Sequence, residues 1–287
     1  MNTESSPGTL YVVATPIGNL EDISARAIRI LGDVDVVLAE DTRTGRYLLR
    51  HFGIATRLSA LHAHNEHRRN HEYLEMLEAG KTIALISEAG TPLISDPGFT
   101  LVGAAQSRRI RVVPVPGACA AIAALSVSGL PCHRFVFEGF LPTATASRRR
   151  TLEALLNEAR TMVFFEAPHR IAETMADLVT VFGPARRACF ARELTKLHET
   201  ILNATLEEIA TAVADDPNQR RGEIVLCVQG TERSEPEVDK ALRIAAILRR
   251  YLPPGQAAAA ASEITGVRRK DLYPAPLAEE PSERSSS

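Results

Sequence analysis

The sequence has few cysteines and no long apolar run, and both absences restrict the kind of protein that it encodes. Its four cysteines, Cys119, Cys132, Cys189 and Cys227, are far apart and form no CxxC pair. This spacing disfavours a disulfide scaffold or a structural zinc site, and it favours a reducing, cytoplasmic setting. No segment holds 18 uninterrupted apolar residues, and residues 1–8 do not resemble a signal peptide. We therefore expect no membrane segment.

A strong excess of either charge is also absent, since 33 Lys and Arg residues are balanced by 35 Asp and Glu residues. A net charge of −2 argues against a uniformly basic coat for nucleic acid and leaves only local basic clusters. The sequence contains no GxGxxG, GxSxG or HExxH motif, and no GxxxxGK followed by Ser or Thr. The common dinucleotide, hydrolase, zincin and nucleoside-triphosphate sites therefore lose their main support.

Apolar strands that alternate with helices are present from residue 9 onward and predict an α/β fold, with parallel pairing of the strands before Gly129. Four strands are expected before Gly129 and four after it, followed by a one-faced helix and two short helices around Gly266. The expected organisation is a disordered start at 1–8, α/β domains at 9–129 and 130–232, a helical appendix at 236–273 and a disordered tail at 274–287.

A loop of small residues, 87–98, follows the predicted strand at residues 82–86. Ala89 and Gly90 let a ligand approach the main chain, and Thr91 and Asp96 offer oxygen atoms beside it. No Lys or Arg lies in the loop, which suits a neutral or cationic ligand better than a phosphate. The alternative is an ordinary connection from strand to helix, with Asp96 as the helix cap.

Seven motifs in order resemble the bacterial small-subunit rRNA cytidine-2'-O-methyltransferases of the tetrapyrrole-methylase superfamily. They lie at 14–20, 39–43, 64–66, 89–98, 114–117, 164–170 and 191–196. The resemblance covers about residues 9–273 and implies two α/β domains that bind S-adenosylmethionine in the cleft between them. It further implies a homodimer that methylates a cytidine ribose in the decoding region of 16S rRNA, with the 30S subunit as the expected context.

The same resemblance implies positions for the cofactor contacts. Together with the loop residue Asp96, they are Pro16, Glu88, Ala89, Gly90, Thr91, Pro116, Gly117, Cys119, Ala120 and Phe165. One position departs from the family, which usually has Asp where this chain has Glu88. The carboxylate is retained on a side chain that is one methylene longer, so we expect cofactor binding with an altered affinity.

Transfer of a methyl group to a ribose hydroxyl requires an aligned oxygen and a group that accepts its proton. Asp41 or Glu40, just beyond a predicted strand end, is favoured as the base or for substrate orientation, and Arg43 for a phosphate contact. The alternative is that Asp41 or Thr42 caps the next helix. Likewise, Glu166 could contact a ligand or simply pair with Arg170.

Two further groups of residues require an interpretation. His62, His64, His67 and His71 include helical spacings, but no cysteine accompanies them, so we expect a polar helix or an RNA contact and no metal site. Three basic clusters, at 148–150, 220–221 and 268–270, predict local positive patches that could contact RNA.

Two other functions remain open at this point. Methylases of cobalamin or siroheme precursors share the superfamily fold, although they typically carry a Gly-Asp-Pro loop where this chain has residues 88–92. A non-catalytic RNA-binding assembly factor would retain the cofactor fold and transfer no methyl group.

Overall fold

Five parallel strands form the first of two sheets. The computed structural model describes residues 7–62, 66–231 and 237–272. The strands are β1 (Thr9–Val13), β2 (Val36–Ala39), β3 (Leu58–Ala60), β4 (Ile83–Ile86) and β5 (Arg111–Val115), in the order β3-β2-β4-β1-β5. Every neighbouring pair is parallel. The short edge strand β3 is missing from the sequence-based prediction, because three half-buried residues carry too little periodic signal.

Helices cover both faces of this sheet. They are α1 (Ala25–Asp33), α2 (Thr42–His51), α3 (Glu66–Glu78) and α4 (Phe99–Ser107). The helix that follows β5, α5 (Ala120–Val127), packs instead against strands of the second sheet. Leu10 and Leu85 face a core formed with α3 and α4, and Val13 and Ile86 face a second core formed with α1 and α2. Because both faces are buried, β2 and β4 consist entirely of buried residues.

The second sheet is mixed, with both parallel and antiparallel pairs of strands. Its strands are β6 (Phe135–Phe140), β7 (Thr161–Glu166), β8 (Arg187–Arg192), β9 (Thr200–Thr205) and β10 (Ile224–Val228). Only β6 and β7 pair in parallel, while β10 is antiparallel to β7 and β8, and β8 to β9. The unpredicted strand β9 follows β8 after a short loop without a crossover helix, which permits only antiparallel pairing.

Three further helices accompany the second sheet besides α5, and a small helical unit follows it in the chain. They are α6 (Thr145–Ala154), α7 (Ile171–Phe182) and α8 (Leu206–Asp215). The helical unit comprises residues 155–159 and the described part of 230–287, with α9 (Glu237–Leu248), α10 (Pro254–Thr265) and a 3-10 turn, Arg269–Leu272. Gly266, with φ of 74°, ends α10, as the sequence predicts.

The α/β class and the helical appendix are thus confirmed. Both sheets lie in one compact unit, residues 1–154 with 160–229, so a domain boundary at 129/130 stays a prediction. The first six residues of the predicted disordered start, His64 and the predicted tail lie outside the described residues. No helix in the described ranges is long and apolar enough to cross a bilayer.

Candidate active site

The loops that follow β1, β4 and β5 meet at the carboxyl edge of the first sheet. Thr15 and Gly90 exchange main-chain hydrogen bonds of 2.8 and 3.1 Å, and the hydroxyl of Thr91 donates to the Ala118 carbonyl at 3.0 Å. Gly117 packs so closely on the first loop that a Cβ atom there would lie 2.9 Å from the Cβ of Ala14. The three loops that the sequence places on one edge are therefore joined.

A cavity of about 410 Å³ opens beside these loops and is closed on its other side by residues of the second sheet. Its apolar wall includes Ile17, Phe140, Phe165, Leu194 and Val225. Its charged lining residues are Glu88, Asp96, Glu166 and Glu223, and the described lining contains neither Lys nor Arg. Such a lining suits a cationic or neutral ligand with an apolar body, as the loop sequence predicts.

Most residues expected to contact the cofactor line this cavity. They are Glu88, Ala89, Gly90, Thr91, Asp96, Cys119, Ala120 and Phe165. Pro16 lines an adjoining cavity of about 310 Å³, which Glu88 and Ala89 also line. Pro116 and Gly117 are not lining residues of either cavity. The packing of Gly117 on Ala14 indicates a structural role for that glycine.

The main chain of the loop after β4 is held in unusual conformations. Gly90 has φ of 84°, and a Cβ atom there would lie 3.2 Å from Cγ2 of Ile17. Leu93 and Ser95 also have positive φ, of 75° and 69°. Non-glycine residues in this region are strained, and such strain concentrates where a ligand is bound. The loop conformation therefore favours a binding role over a simple connection.

Among the partly or fully buried carboxylates that line the cavity, Asp96 has the fewest hydrogen-bond and ion-pair partners. The structure shows no hydrogen bond or ion pair to its side chain among the described residues. Partial burial raises the pKa of Asp96 to about 6, and the nearby carboxylates of Glu40 and Glu88 contribute to the increase. The alternative helix-cap role is wrong, since α4 has Gly98 at its N-cap and no side-chain cap. Asp96 thus remains available to a ligand.

The residues favoured for catalysis from the sequence lie outside both cavity linings. Asp41 is the N-cap of α2, accepts a hydrogen bond from the Arg43 amide at 2.7 Å and pairs with the Arg43 guanidinium at 2.6 Å. These hydrogen bonds lower the pKa of Asp41. The capping alternative is therefore confirmed for Asp41. Burial, followed by the charge of Glu88, raises the pKa of Glu40.

Glu166 and Arg170 pair with each other, which is the second of the two interpretations that the sequence allows. The Glu166 side chain is fully buried, forms an ion pair with Arg170 at 3.2 Å and accepts a hydrogen bond of 2.5 Å from the Thr174 hydroxyl. The amide of Ala167 donates to it as well, at 2.7 Å. This carboxylate is therefore held by the protein, although it borders the cavity.

Lys196 and Glu223 border the site, and residue-by-residue reasoning on the sequence missed both. The Lys196 ammonium lies 2.8 Å from Glu193 and 2.9 Å from Glu223, and both Lys196 and Glu223 line the smaller cavity. Glu193 and Thr195 have positive φ, of 51° and 67°. The only sequence signal was the motif at 191–196, which carried no assigned role.

In each of the three predicted basic clusters, one arginine is buried or bonded to another part of the protein. Arg148 is only 1% exposed, so it does not contribute to the solvent-facing patch that the sequence predicts at 148–150, whereas Arg149 and Arg150 are exposed. Arg220 donates to the Val213 carbonyl at 2.8 Å near the end of α8. In the helical unit, Arg268 pairs with Asp271 at 2.9 Å.

The histidine cluster is only partly described. His71 lies 3.4 Å from Glu75, one turn along α3. Among the described residues, no three His, Cys, Asp or Glu side chains are grouped so as to hold a metal ion.

Comparisons with known proteins agree with this geometry. The family model for Tetrapyrrole (Corrin/Porphyrin) Methylases matches residues 9–210, and the model for the RsmI C-terminal HTH domain matches residues 232–279. The chain is similar to the Ribosomal RNA small subunit methyltransferase I proteins of Xylella fastidiosa Temecula1 and Pseudomonas aeruginosa. The identities are 56% over 270 residues (94% of this chain, 99% of the relative) and 55% over 271 residues (93% and 96%).

Among solved structures, uroporphyrin-III C-methyl transferase from Thermus thermophilus, complexed with S-adenyl homocysteine, matches with a TM-score of 0.54 and 20% identity. The match covers 77% of this chain and 97% of that one. At this identity, the likeness concerns the fold alone.

Proposed function

The chain belongs to the tetrapyrrole (corrin/porphyrin) methylase family, and on that premise we propose that it transfers a methyl group from S-adenosylmethionine to small-subunit ribosomal RNA. Relatives more than half identical over nearly the whole chain carry the name of that activity. The structural observation that supports the proposal most directly is the cavity of about 410 Å³. Its described lining residues include carboxylates and contain neither Lys nor Arg.

The residues present fit S-adenosylmethionine. The sulfonium is positively charged, which suits a lining with Glu88 and Asp96 and no described Lys or Arg. Phe140 and Phe165 provide an apolar wall for the rest of the ligand. When bound, S-adenosylmethionine supplies an electrophilic methyl group, whose transfer to a hydroxyl oxygen leaves a neutral thioether and releases the hydroxyl proton.

The chain must therefore orient the hydroxyl and remove its proton. Asp96 is suited to accept the proton, because its carboxylate lines the cavity without a described partner and its pKa is raised to about 6. Asp41 is less suited, since Arg43 holds its carboxylate in an ion pair and lowers its pKa. We therefore favour Asp96 over the sequence-based choice of Asp41.

More specifically, we propose that the acceptor is the 2'-oxygen of a cytidine in the decoding region of 16S rRNA, presented by the 30S subunit. This acceptor follows from the resemblance of the seven motifs to the cytidine-2'-O-methyltransferases. We further propose a cytoplasmic homodimer, and the molar mass measured by light scattering tests its dimeric state.

A methylase of cobalamin or siroheme precursors is the second candidate. The fold and the matched family model are compatible with it. However, residues 88–92 read Glu-Ala-Gly-Thr-Pro and not Gly-Asp-Pro, and the match of residues 232–279 to a C-terminal HTH model is unexplained by a tetrapyrrole substrate. A non-catalytic assembly factor would not require a cavity carboxylate without a described partner, such as Asp96.

Transfer of labelled methyl to small subunits from a methylation-deficient strain tests the proposal. Nucleoside analysis should yield 2'-O-methylcytidine. If the protein binds S-adenosylmethionine but transfers no methyl group to subunits or to free rRNA, the proposed rRNA methylation is refuted. Transfer to a tetrapyrrole instead would establish the second candidate.

A further inference from the structure

The exposed side of α2 carries an unusual set of side chains. Arg43, Arg46, Tyr47 and Arg50 are all exposed, whereas Leu48 packs into the core of the first sheet. Residues spaced by three, four and seven positions lie on one side of a helix, so the three guanidinium groups and the phenol share a surface. The helix itself contains no Asp or Glu.

Two of these arginines, Arg46 and Arg50, have no carboxylate partner among the described residues. Arg43 pairs with Asp41 at 2.6 Å, but in the described part of the chain Arg46 and Arg50 form no ion pair or hydrogen bond through their side chains. Like charges one turn apart destabilise a helix. The arrangement is thus unfavourable for the free protein and becomes favourable when an anion with several charges lies along it.

Tyr47 connects this basic surface to the candidate active site. Its side chain is 65% exposed and lines the cavity of about 310 Å³, together with Pro16 and Lys196. That cavity shares Ile17, Glu88, Ala89 and Glu223 with the larger cavity assigned to the methyl donor. An exposed aromatic ring beside a small cavity is a surface on which a nucleobase can stack.

We propose that a single-stranded segment of the RNA substrate crosses α2, with Arg46 and Arg50 contacting neighbouring phosphates and Tyr47 stacking on a base at the smaller cavity. This inference rests on the proposed function and specifies its substrate surface. Because the smaller cavity shares Glu88 and Ala89 with the larger one, a base held at Tyr47 places its ribose close to the cavity assigned to the methyl donor. The combination of phosphate-binding arginines and a stacking ring favours RNA over an acidic protein.

Binding of purified small-subunit rRNA at several salt concentrations tests the arginines without relying on catalysis. The logarithm of the binding constant falls with the logarithm of the salt concentration, and each phosphate contact on a single strand adds about 0.7 to the steepness of that fall. The double variant Arg46→Gln with Arg50→Gln should therefore show a slope that is less steep by about 1.4. The matched control is Arg109→Gln with Arg111→Gln, which removes two exposed charges that have no ion pair among the described residues, near the amino edge of the same sheet. Equal slopes for the two double variants would overturn the proposal.

Substitutions of Tyr47 test the stacking contact. Tyr47→Phe should bind and methylate the RNA like the wild type, whereas Tyr47→Leu should raise KM for RNA at least fivefold and leave the affinity for S-adenosylmethionine unchanged. Equal KM values for the two variants would refute the stacking role. If the wild type binds the RNA but methylates nothing, the proposed function fails, and the salt slopes still decide whether α2 is the RNA surface.

Discussion

The guanidinium Nε of Arg148 lies 2.6 Å from Oδ2 of Asp177, and both side chains are almost completely buried, at 1% and 2% exposure. Arg148 extends from α6 and Asp177 from α7. A second arginine, Arg149, reaches the other oxygen of Asp177 at 2.6 Å from a half-exposed position. The pair therefore joins the two helices from within.

Removing Arg148 should strongly destabilise the protein. Arg148→Met leaves the Asp177 carboxylate buried with Arg149 as its remaining cation, and breaking such a pair costs about 3 kcal/mol of unfolding free energy. Urea denaturation measures the loss. The neighbouring Arg150 is exposed, so Arg150→Gln is the control and should stay within about 0.5 kcal/mol of the wild type. Equal stabilities would show that the buried pair contributes nothing.

For the arginines at 148–150, the sequence alone predicts the wrong environment for Arg148. Three consecutive arginines at 148–150 predict a basic patch, but α6 turns Arg148 inward, on the same side as Leu152, one turn later. Only the position of Asp177, 29 residues away, makes that burial tolerable. Conversely, the basic surface of α2 is spread over eight residues, from Arg43 to Arg50, and becomes visible only when the helix separates exposed from buried positions.

The joined loops of the first sheet are the part of the site that the sequence predicts best. Parallel strands bring their carboxyl ends to one edge, so the loops at 15–20, 87–98 and 114–120 must meet there once the strands are recognised. The opposite wall could not be derived in this way. It depends on the antiparallel pairing of β10 with β7 and β8, and on the strained loop with Glu193 and Thr195. Local sequence periodicity encodes neither feature.

Glu88 should contribute to affinity through its charge. Its side chain lines the cavity and is exposed, so Glu88→Gln should weaken S-adenosylmethionine binding about two- to fivefold, corresponding to ~0.5–1 kcal/mol. S-adenosylhomocysteine lacks the sulfonium charge, and its affinity should change little. Glu88→Asp retains the carboxylate and is the matched control. Isothermal titration with both ligands measures the effect, and an equal loss for both would contradict a charge-specific contact.

Asp96 should make folding less favourable near neutral pH. Its pKa is about 6 in the folded protein, against about 3.9 for an unperturbed Asp, so the folded state binds the proton more tightly. The contribution of Asp96 to stability is therefore full below pH 4 and is lost as the pH rises through 6. Asp96→Asn should stabilise the protein at pH 8 by about 1 kcal/mol, a value reduced for the solvent around this partly exposed group, and should have little effect at pH 4. Urea denaturation at both pH values checks this sign, and a stabilisation that is the same at pH 4 and pH 8 would exclude Asp96 ionisation as its source.

The pH dependence of methyl transfer distinguishes Asp96 from Asp41 as the proton acceptor. If ionised Asp96 accepts the proton, the single-turnover rate should rise with pH up to about 6 and then level off, because only the carboxylate form can act.

Since Glu88 helps to raise the pKa of Asp96, Glu88→Gln should move that rise to lower pH. Asp96→Asn should lower the rate at least 100-fold while S-adenosylmethionine still binds. Asp41 has a lowered pKa and an ion pair with Arg43, so it predicts a rise at a more acidic pH that Glu88→Gln leaves in place. A large loss of rate in Asp41→Asn, together with a small loss in Asp96→Asn, would therefore restore the choice made from the sequence.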